Sequence, residues 1–337
     1  MRTLIIKRWL HGMLEGGLAL ETRLVRSLIL RAGPVLLCYV CFISTTGAQA
    51  PADGSRQIVL EEFIRARPAG STSVSKTSAG NAPSAMPKNP HYRRVTRPLS
   101  SSGKAPRLPE TEIGITIWRL RPSRPEDEAD ARLLVMQAEA KTQWTPERIE
   151  ADTPLKVGDR IRISIEAPRS GYLYVVDRER YADSSLGDAY LIYPTKKTRG
   201  GDNRVAPGKL IDIPALEDTP NHFTLVPSPA RNDQIGEVLS IILTPQPING
   251  LAITDKPLQI QSAEVLQWER SWGTAFERFE LEGGAGLAWT KEEREAAVAK
   301  NSRYLTQTEP SPQTVYRMTA KGQRSLLVTI RLNYRNK

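Results

Sequence analysis

Cysteine and histidine are nearly absent from this chain of 337 residues, which has two Cys and three His. Both cysteines, Cys38 and Cys41, lie before residue 51. If that segment is removed, the protein can form no disulfide and no Cys-based zinc site, so its stability must come from a hydrophobic core. The motifs G-x-S-x-G, G-x-x-x-x-G-K-[ST] and H-E-x-x-H are also missing. We therefore expect no enzymatic activity, no catalytic residue, no cofactor and no metal ion.

Long hydrophobic runs are also lacking at the N-terminus. The apolar run Pro34–Ile43 has about ten residues, whereas a transmembrane helix needs roughly twenty. It follows Arg23, Arg26 and Arg31 and precedes the small-residue motif Ala48-Gln49-Ala50. This order predicts that residues 1–50 are a signal peptide cleaved after Ala50, with an uncleaved anchor as the alternative.

An exported protein is expected in the periplasm or outside the cell. The positive region is long, so translation could start at Met1 or at Met13. After cleavage we expect no integral membrane protein. The net charge of +10 would suit nucleic acid, but export argues against that partner.

Residues 51–111 are predicted to contain a short helix and a disordered basic linker rich in Ser and Pro. Arg56–Arg67 places Ile58, Val59 and Phe63 near one helical face. Arg65–Glu110 contains seven prolines, nine basic residues and one acidic residue. Such a composition buries too little apolar surface to offset its conformational entropy.

Residues 112–250 carry the pattern of a β-sandwich. Apolar residues alternate with polar ones in Ile113–Ile117 and again in Ile161–Ile165, which is typical of strands with one buried face. A turn at Pro168–Gly171 precedes Tyr172–Val176, so we predict a hairpin there. Thr145–Glu147 is predicted to cap a helical turn. Turn signals between the strands predict a mainly β fold, an antiparallel immunoglobulin-like sandwich.

Residues 251–337 change character and are predicted to be a small α/β extension. Val265, Trp268 and Trp272 have helical spacing, and Thr290–Glu293 is a capping box that begins a second short helix. The chain is then predicted to close with a hairpin, formed by Gln313–Met318 and Ser325–Tyr334.

A glycine-rich basic loop is the first candidate binding site. It spans residues 196–208, and its exposed amides could hold an anion beside the cations Lys196, Lys197, Arg199 and Arg204. The alternative is a solvated hairpin loop without a ligand.

Two further clusters permit weaker hypotheses. Tyr172 and Tyr174 share one strand face, which could be an exposed aromatic row or part of the core. The acidic residues that follow could bind calcium, but they match no EF-hand, and Arg178 and Arg180 would partly neutralise them; these acids are Asp177, Glu179, Asp183 and Asp188.

The segment Leu155–Pro247 resembles a bacterial envelope family, the domain of unknown function 4384 family. The shared motifs are Val157–Arg160, Gly171–Tyr174, Leu191–Pro194 and Ala206–Gly208, with Ile213-Pro214. The resemblance implies an exported β-rich module and supplies no catalytic residues.

The sequence therefore favours an exported, non-catalytic binding module of the bacterial envelope. Its expected partner is an envelope protein or an anionic envelope polymer. Two alternatives stay open, a carbohydrate-binding module and an envelope hydrolase that uses paired carboxylates.

Overall fold

The computed structural model describes residues 63–69, 90–95, 110–137, 140–298, 303–319 and 325–335. The predicted signal peptide and most of the predicted linker lie outside these residues. The described residues are mainly β and form two antiparallel sheets. They also include two complete α-helices, a helical stretch at residues 63–65 and two short 3-10 turns, Ala129–Ala131 and Arg199–Gly201.

Sheet I has nine strands within the described ranges and is built around its longest strand, β2. Strand β5 pairs with one edge of β2, whereas β14 and β4 divide the other edge between them. The strands are β1 (Tyr92–Arg94), β2 (Glu110–Pro122), β3 (Leu133–Gln137), β4 (Ala140–Ile149), β5 (Arg160–Glu166), β9 (Leu210–Ile213), β10 (Phe223–Thr224), β13 (Phe276–Leu281) and β14 (Thr314–Thr319).

Sheet II has six strands in the same ranges, in the order β12-β7-β6-β11-β15, and β8 also pairs with β6. The strands are β6 (Gly171–Tyr181), β7 (Ala189–Tyr193), β8 (Arg204–Val205), β11 (Gln234–Thr244), β12 (Leu258–Ile260) and β15 (Leu326–Asn333).

The inner faces of the two sheets share one hydrophobic core. Alternate residues of sheet I, such as Ile115 and Ile163, are buried in the same cluster as Val175, Ile241 and Val328 of sheet II. Each fully buried aliphatic side chain of this kind contributes about 1.5–3 kcal/mol. The described residues contain no cysteine, so this core holds them together without disulfides.

Two helices cover the outer faces. Helix α1 (Ser262–Trp272) buries Val265 and Trp268 against sheet II. Helix α2 (Lys291–Ala297) begins with the predicted capping box, in which the Thr290 hydroxyl accepts from the Glu293 amide. Among the described residues, no helix has the length and apolarity needed to cross a bilayer.

Both predicted hairpins are wrong. Strand β5 pairs with β2, β9 and β10, while β6 pairs in the other sheet with β7, β8 and β11. Likewise β14 belongs to sheet I and β15 to sheet II. In each case the chain crosses from one sheet to the other, because both strands bury their apolar faces in the shared core.

The predicted helical turn at Thr145–Glu147 is also wrong, because these residues lie in β4 and pair with β2. The residues predicted as a C-terminal extension supply β13, β14 and β15. The end of the chain is therefore part of both sheets.

The described end of the predicted short helix is helical at residues 63–65, and part of the predicted disordered linker is ordered. Phe63 is 2% exposed, and the Cβ of any side chain at Gly114 would lie 2.7 Å from its ring, so the glycine makes room for it. Arg67 is buried, and Tyr92–Arg94 pairs with β13. The polar composition of this segment does not predict such contacts, because only a few buried residues, such as Phe63, Arg67 and Tyr92, hold it against the sheet. We call residues 63–69 the N-terminal anchor.

Candidate anion-binding groove

The four cations of the predicted basic loop lie in different local surroundings. Lys196 and Lys197 are exposed, whereas Arg199 is partly buried at a φ of 55°. Arg204 donates from Nε to Asp202 at 2.8 Å. Asp202 also lies 3.8 Å from Lys209, so an internal carboxylate already offsets part of this charge.

The predicted aromatic row is not exposed. Tyr174 is 4% exposed, and its hydroxyl accepts from the Ile248 amide at 2.9 Å. Tyr172 is half-buried against the same apolar cluster, which includes Trp268 of α1. The segment that leads into α1 covers this face, so of the two alternatives the structure favours a place in the core over an exposed row.

The acidic residues near β6 do not converge on a metal site. Within the described residues, no group of three or more His, Cys, Asp or Glu side chains could hold a metal ion. Asp183 binds the Ser185 hydroxyl at 2.6 Å and Arg231 at 3.1 Å. Asp177 and Glu179 are buried.

Buried charges cluster on the outer face of sheet I, under α2 and the N-terminal anchor. Asp212 accepts from Arg162 Nη2 at 2.6 Å and from the Ser164 hydroxyl, and Trp118 donates to that hydroxyl at 2.7 Å. Burial raises the pKa of the Asp212 carboxyl, whereas the Arg162 guanidinium opposes that rise.

Two further ion pairs flank this network. Arg148 pairs with Glu293 of α2 and donates to the Ser311 carbonyl at 2.8 Å. Arg67 contacts both carboxylate oxygens of Glu166 at 2.7 Å. We call these three pairs the sealed cluster; its Arg and acidic side chains are at most 5% exposed. Because its charged groups are covered, the sealed cluster joins chain segments and offers no open surface to a ligand.

An open groove lies on the outer face of sheet II, beside the C-terminal end of α1. It has a volume of about 520 Å³. The side chains that shape its floor come from β6, β11 and β15, and its wall comes from residues 269–276. We call it the arginine groove, after Arg178, Arg180 and Arg331.

Strand pairing aligns these arginines across the sheet. Val238 of β11 pairs with Arg178 on one side and with Arg331 on the other, so both arginines lie in one cross-strand row. In the next row, Arg180 reaches over Gly236 and donates to the Asn333 amide oxygen at 2.7 Å.

The groove is electrostatically positive. Arg178 pairs with Glu269, which is the one carboxylate among the described residues that line the groove. Burial, together with the nearby charge of Arg331, lowers the pKa of Arg180. Arg331 itself is exposed. Because Glu269 is paired with Arg178, which is 3% exposed, the guanidinium groups of Arg180 and Arg331 add positive charge that no second lining carboxylate offsets.

Several donors in the groove have no partner. The Nε atoms of Arg178 and Arg180 and the hydroxyl of Thr274 are buried and make no hydrogen bond within the described residues. Buried donors are normally satisfied, and charged donors bind anionic acceptors about twice as strongly as neutral ones. This arrangement is suited to binding a carboxylate or phosphate group.

From the sequence, Arg178 and Arg180 are expected to neutralise part of the charge of the neighbouring acids. Period-two alternation in the run Asp177–Arg180 instead sends the acids to the inner face and the arginines to the outer face. That alternation was the available signal. The contribution of Arg331 and Thr274 depends on long-range pairing.

Comparison with known proteins adds no assignment. No family model, curated protein or solved structure matches the chain. The functional argument therefore rests on the groove and the sequence.

Proposed function

We propose that this protein is a non-catalytic binding module of the bacterial cell envelope that holds an anionic partner in the arginine groove. The groove carries the proposal, because three arginines line one concave surface with a single carboxylate, and buried donors of its lining residues have no hydrogen-bond partner among the described residues. The signal-peptide pattern of residues 1–50 and the resemblance of Leu155–Pro247 to an envelope family support the location. The core shared by the two sheets supports an immunoglobulin-like sandwich as the finer description.

The same observations favour binding over the two alternatives. Burial of Tyr174 removes the aromatic row that a carbohydrate-binding module would use. A glycosidase needs two carboxylates facing its substrate, and Glu269 stands alone among the described lining residues. The proposed partner therefore carries negative charge and is either an envelope protein or an anionic envelope polymer.

The test compares two double variants that each remove two positive charges. Labelled hexaglutamate and inorganic polyphosphate are titrated against the purified protein at low and high ionic strength. Arg180→Gln/Arg331→Gln should weaken binding of at least one probe by roughly tenfold or more, since each charged hydrogen bond is worth about 1.5–3 kcal/mol. Added salt should weaken binding to the wild type as well.

The control is Lys196→Gln/Lys197→Gln, which alters the exposed basic loop. It should bind like the wild type, and both variants should keep the wild-type melting temperature. Loss of binding in the loop variant alone would transfer the site to residues 196–208. Absence of binding by either probe at low salt would refute the proposed function.

A further inference from the structure

The outer edge of β15 forms one border of the arginine groove. In the sheet order, β15 is the last strand of sheet II. Near its end, the Leu155 amide donates to the Asn333 carbonyl at 2.8 Å, and the Tyr334 amide donates to Ile235 at 2.9 Å on the other side. Backbone groups of alternate residues point to opposite edges of a strand. The odd-numbered residues of β15 therefore direct their amides and carbonyls away from β11.

This edge is covered at both ends and open between them. Gly273 forms a parallel bridge with Leu327, and Leu155 bridges Tyr334. Between these bridges lie Thr329 and Arg331, and no strand among the described residues pairs with their outward backbone groups. Two residues of this edge could therefore pair with a short extended segment.

The residues with open backbone groups also line the groove. Thr329 and Arg331 both contribute to the groove surface. A strand that paired here would place every second side chain on the outer face of sheet II, toward the guanidinium groups. Main-chain hydrogen bonds would provide affinity, while the charged groove would select alternate side chains.

We propose that the occupant is an extended acidic peptide segment of a partner protein, which adds to sheet II as a strand beside Thr329 and Arg331. This inference rests on the proposed function and names the chemistry of its partner. Its alternate Asp or Glu side chains bind in the arginine groove. The peptide backbone pairs with the free edge of β15.

Charge complementarity selects this occupant over the two basic segments of the same protein. Residues 70–89 and 96–109 contain Lys and Arg but no Asp or Glu, so the groove would repel them. A second copy of β15 would bring its own Arg331 and Arg335 to the same edge. Like charges facing each other across strands are destabilising, and basic residues commonly protect free edges from self-pairing.

The experiment uses three blocked peptides of alternating Glu and Val. One is unmodified, and the others carry N-methyl groups on either the Glu or the Val amides, so that each methylation pattern removes donors from one edge. We expect the unmodified peptide to bind and one methylated peptide to lose roughly tenfold or more in affinity, while the other binds like the parent. Arg331→Gln should weaken binding of the unmodified peptide without lowering the melting temperature of the protein.

Inorganic polyphosphate separates failure of this inference from failure of the proposed function. Equal binding of all three peptides, or binding of polyphosphate alone, would overturn strand addition and leave an anion-binding groove. Binding of none of these probes would overturn both.

Discussion

The outer faces of the two sheets use arginine in opposite ways. On sheet I, Arg67, Arg148 and Arg162 are covered, and each contacts its own carboxylate. On sheet II, Arg178 is also covered and paired, with Glu269, whereas Arg180 and Arg331 line an open groove whose described lining holds no second carboxylate. Both outer faces therefore carry the same type of residue, arginine. The presence of a cover and of matched acids determines whether an arginine serves stability or is available to a partner.

The cover of sheet I comes from distant parts of the chain. The Arg67 guanidinium donates to the carbonyls of Glu309 and Pro310 at 3.0 Å, so the N-terminal anchor is joined to the C-terminal third. Trp289 packs edge-on against Trp118, with 6.1 Å between the centroids of the two rings. The sealed cluster thus connects segments that sequence analysis had assigned to different domains.

The largest effect should come from breaking a sealed pair. Asp212→Ala leaves the Arg162 guanidinium buried without its carboxylate, which should lower the free energy of unfolding by about 3–5 kcal/mol. Urea unfolding measures this loss. Arg162→Met/Asp212→Leu should recover much of it, because neither charge remains to be desolvated.

A matched substitution on the open face is the control for that experiment. Arg331→Ala should change the free energy of unfolding by less than about 0.5 kcal/mol, because Arg331 is exposed. Equal losses for Asp212→Ala and Arg331→Ala would remove the distinction between the two faces.

The second prediction removes part of the cover. Phe63→Ala empties the space beside Gly114 and should cost about 3 kcal/mol. Because the anchor would then be released, trypsin should cleave after Arg65 faster than in the wild type. Val157→Ala is the control, since Val157 is 49% exposed and its change should alter neither property. An unchanged cleavage rate in Phe63→Ala would show that the ring does not hold the anchor.

A smaller, pH-dependent effect is expected at Glu280, a buried carboxyl whose ion pair with Arg278 is long, at 3.7 Å. Burial raises its pKa from 4.5 to about 7. Its donors include the Thr314 hydroxyl at 3.0 Å, whereas Arg278 lies 3.7 Å away. The folded protein therefore retains a proton that the unfolded chain releases, so stability from this group is full below pH 4.5 and falls as the pH rises to about 7.

The corresponding measurement is the unfolding free energy of Glu280→Gln and wild type across this range. As the pH rises, the unfolding free energy of Glu280→Gln minus that of the wild type should increase by up to about 1.4 kcal/mol per pH unit. Above the raised pKa this difference should stay constant. The difference between the two proteins is needed because burial lowers the pKa of His222 to about 4, which has the opposite effect. Parallel curves would contradict the shifted pKa of Glu280.

Local patterns predicted much of the secondary structure. The alternation in Ile113–Ile117 and Ile161–Ile165 identified β2 and β5, and the spacing of Val265 and Trp268 identified α1. The capping box was correct because both of its hydrogen bonds are local. Alternation defines the buried face of a strand but not its partner, which explains why the two predicted hairpins failed.

The groove was less predictable, because its arginines meet only through pairing in sheet II. Arg178 and Arg331 are far apart in sequence, and β11 brings them into one row. The loop Lys196–Arg204 was predicted as a candidate site because four cations lie within nine residues of sequence. Clustering in sequence is a weaker guide to a binding site than convergence on one surface.

Mapping of backbone amide chemical shifts during titration with hexaglutamate tests the central claim most directly, namely that the open arginine face binds anions. We predict that the largest shifts will occur in Arg178–Arg180, Thr274 and Thr329–Arg331, and that the sealed cluster around Arg162 and Asp212 will be unaffected. Shifts centred on Lys196–Arg204, or small shifts spread evenly over the surface, would contradict the account.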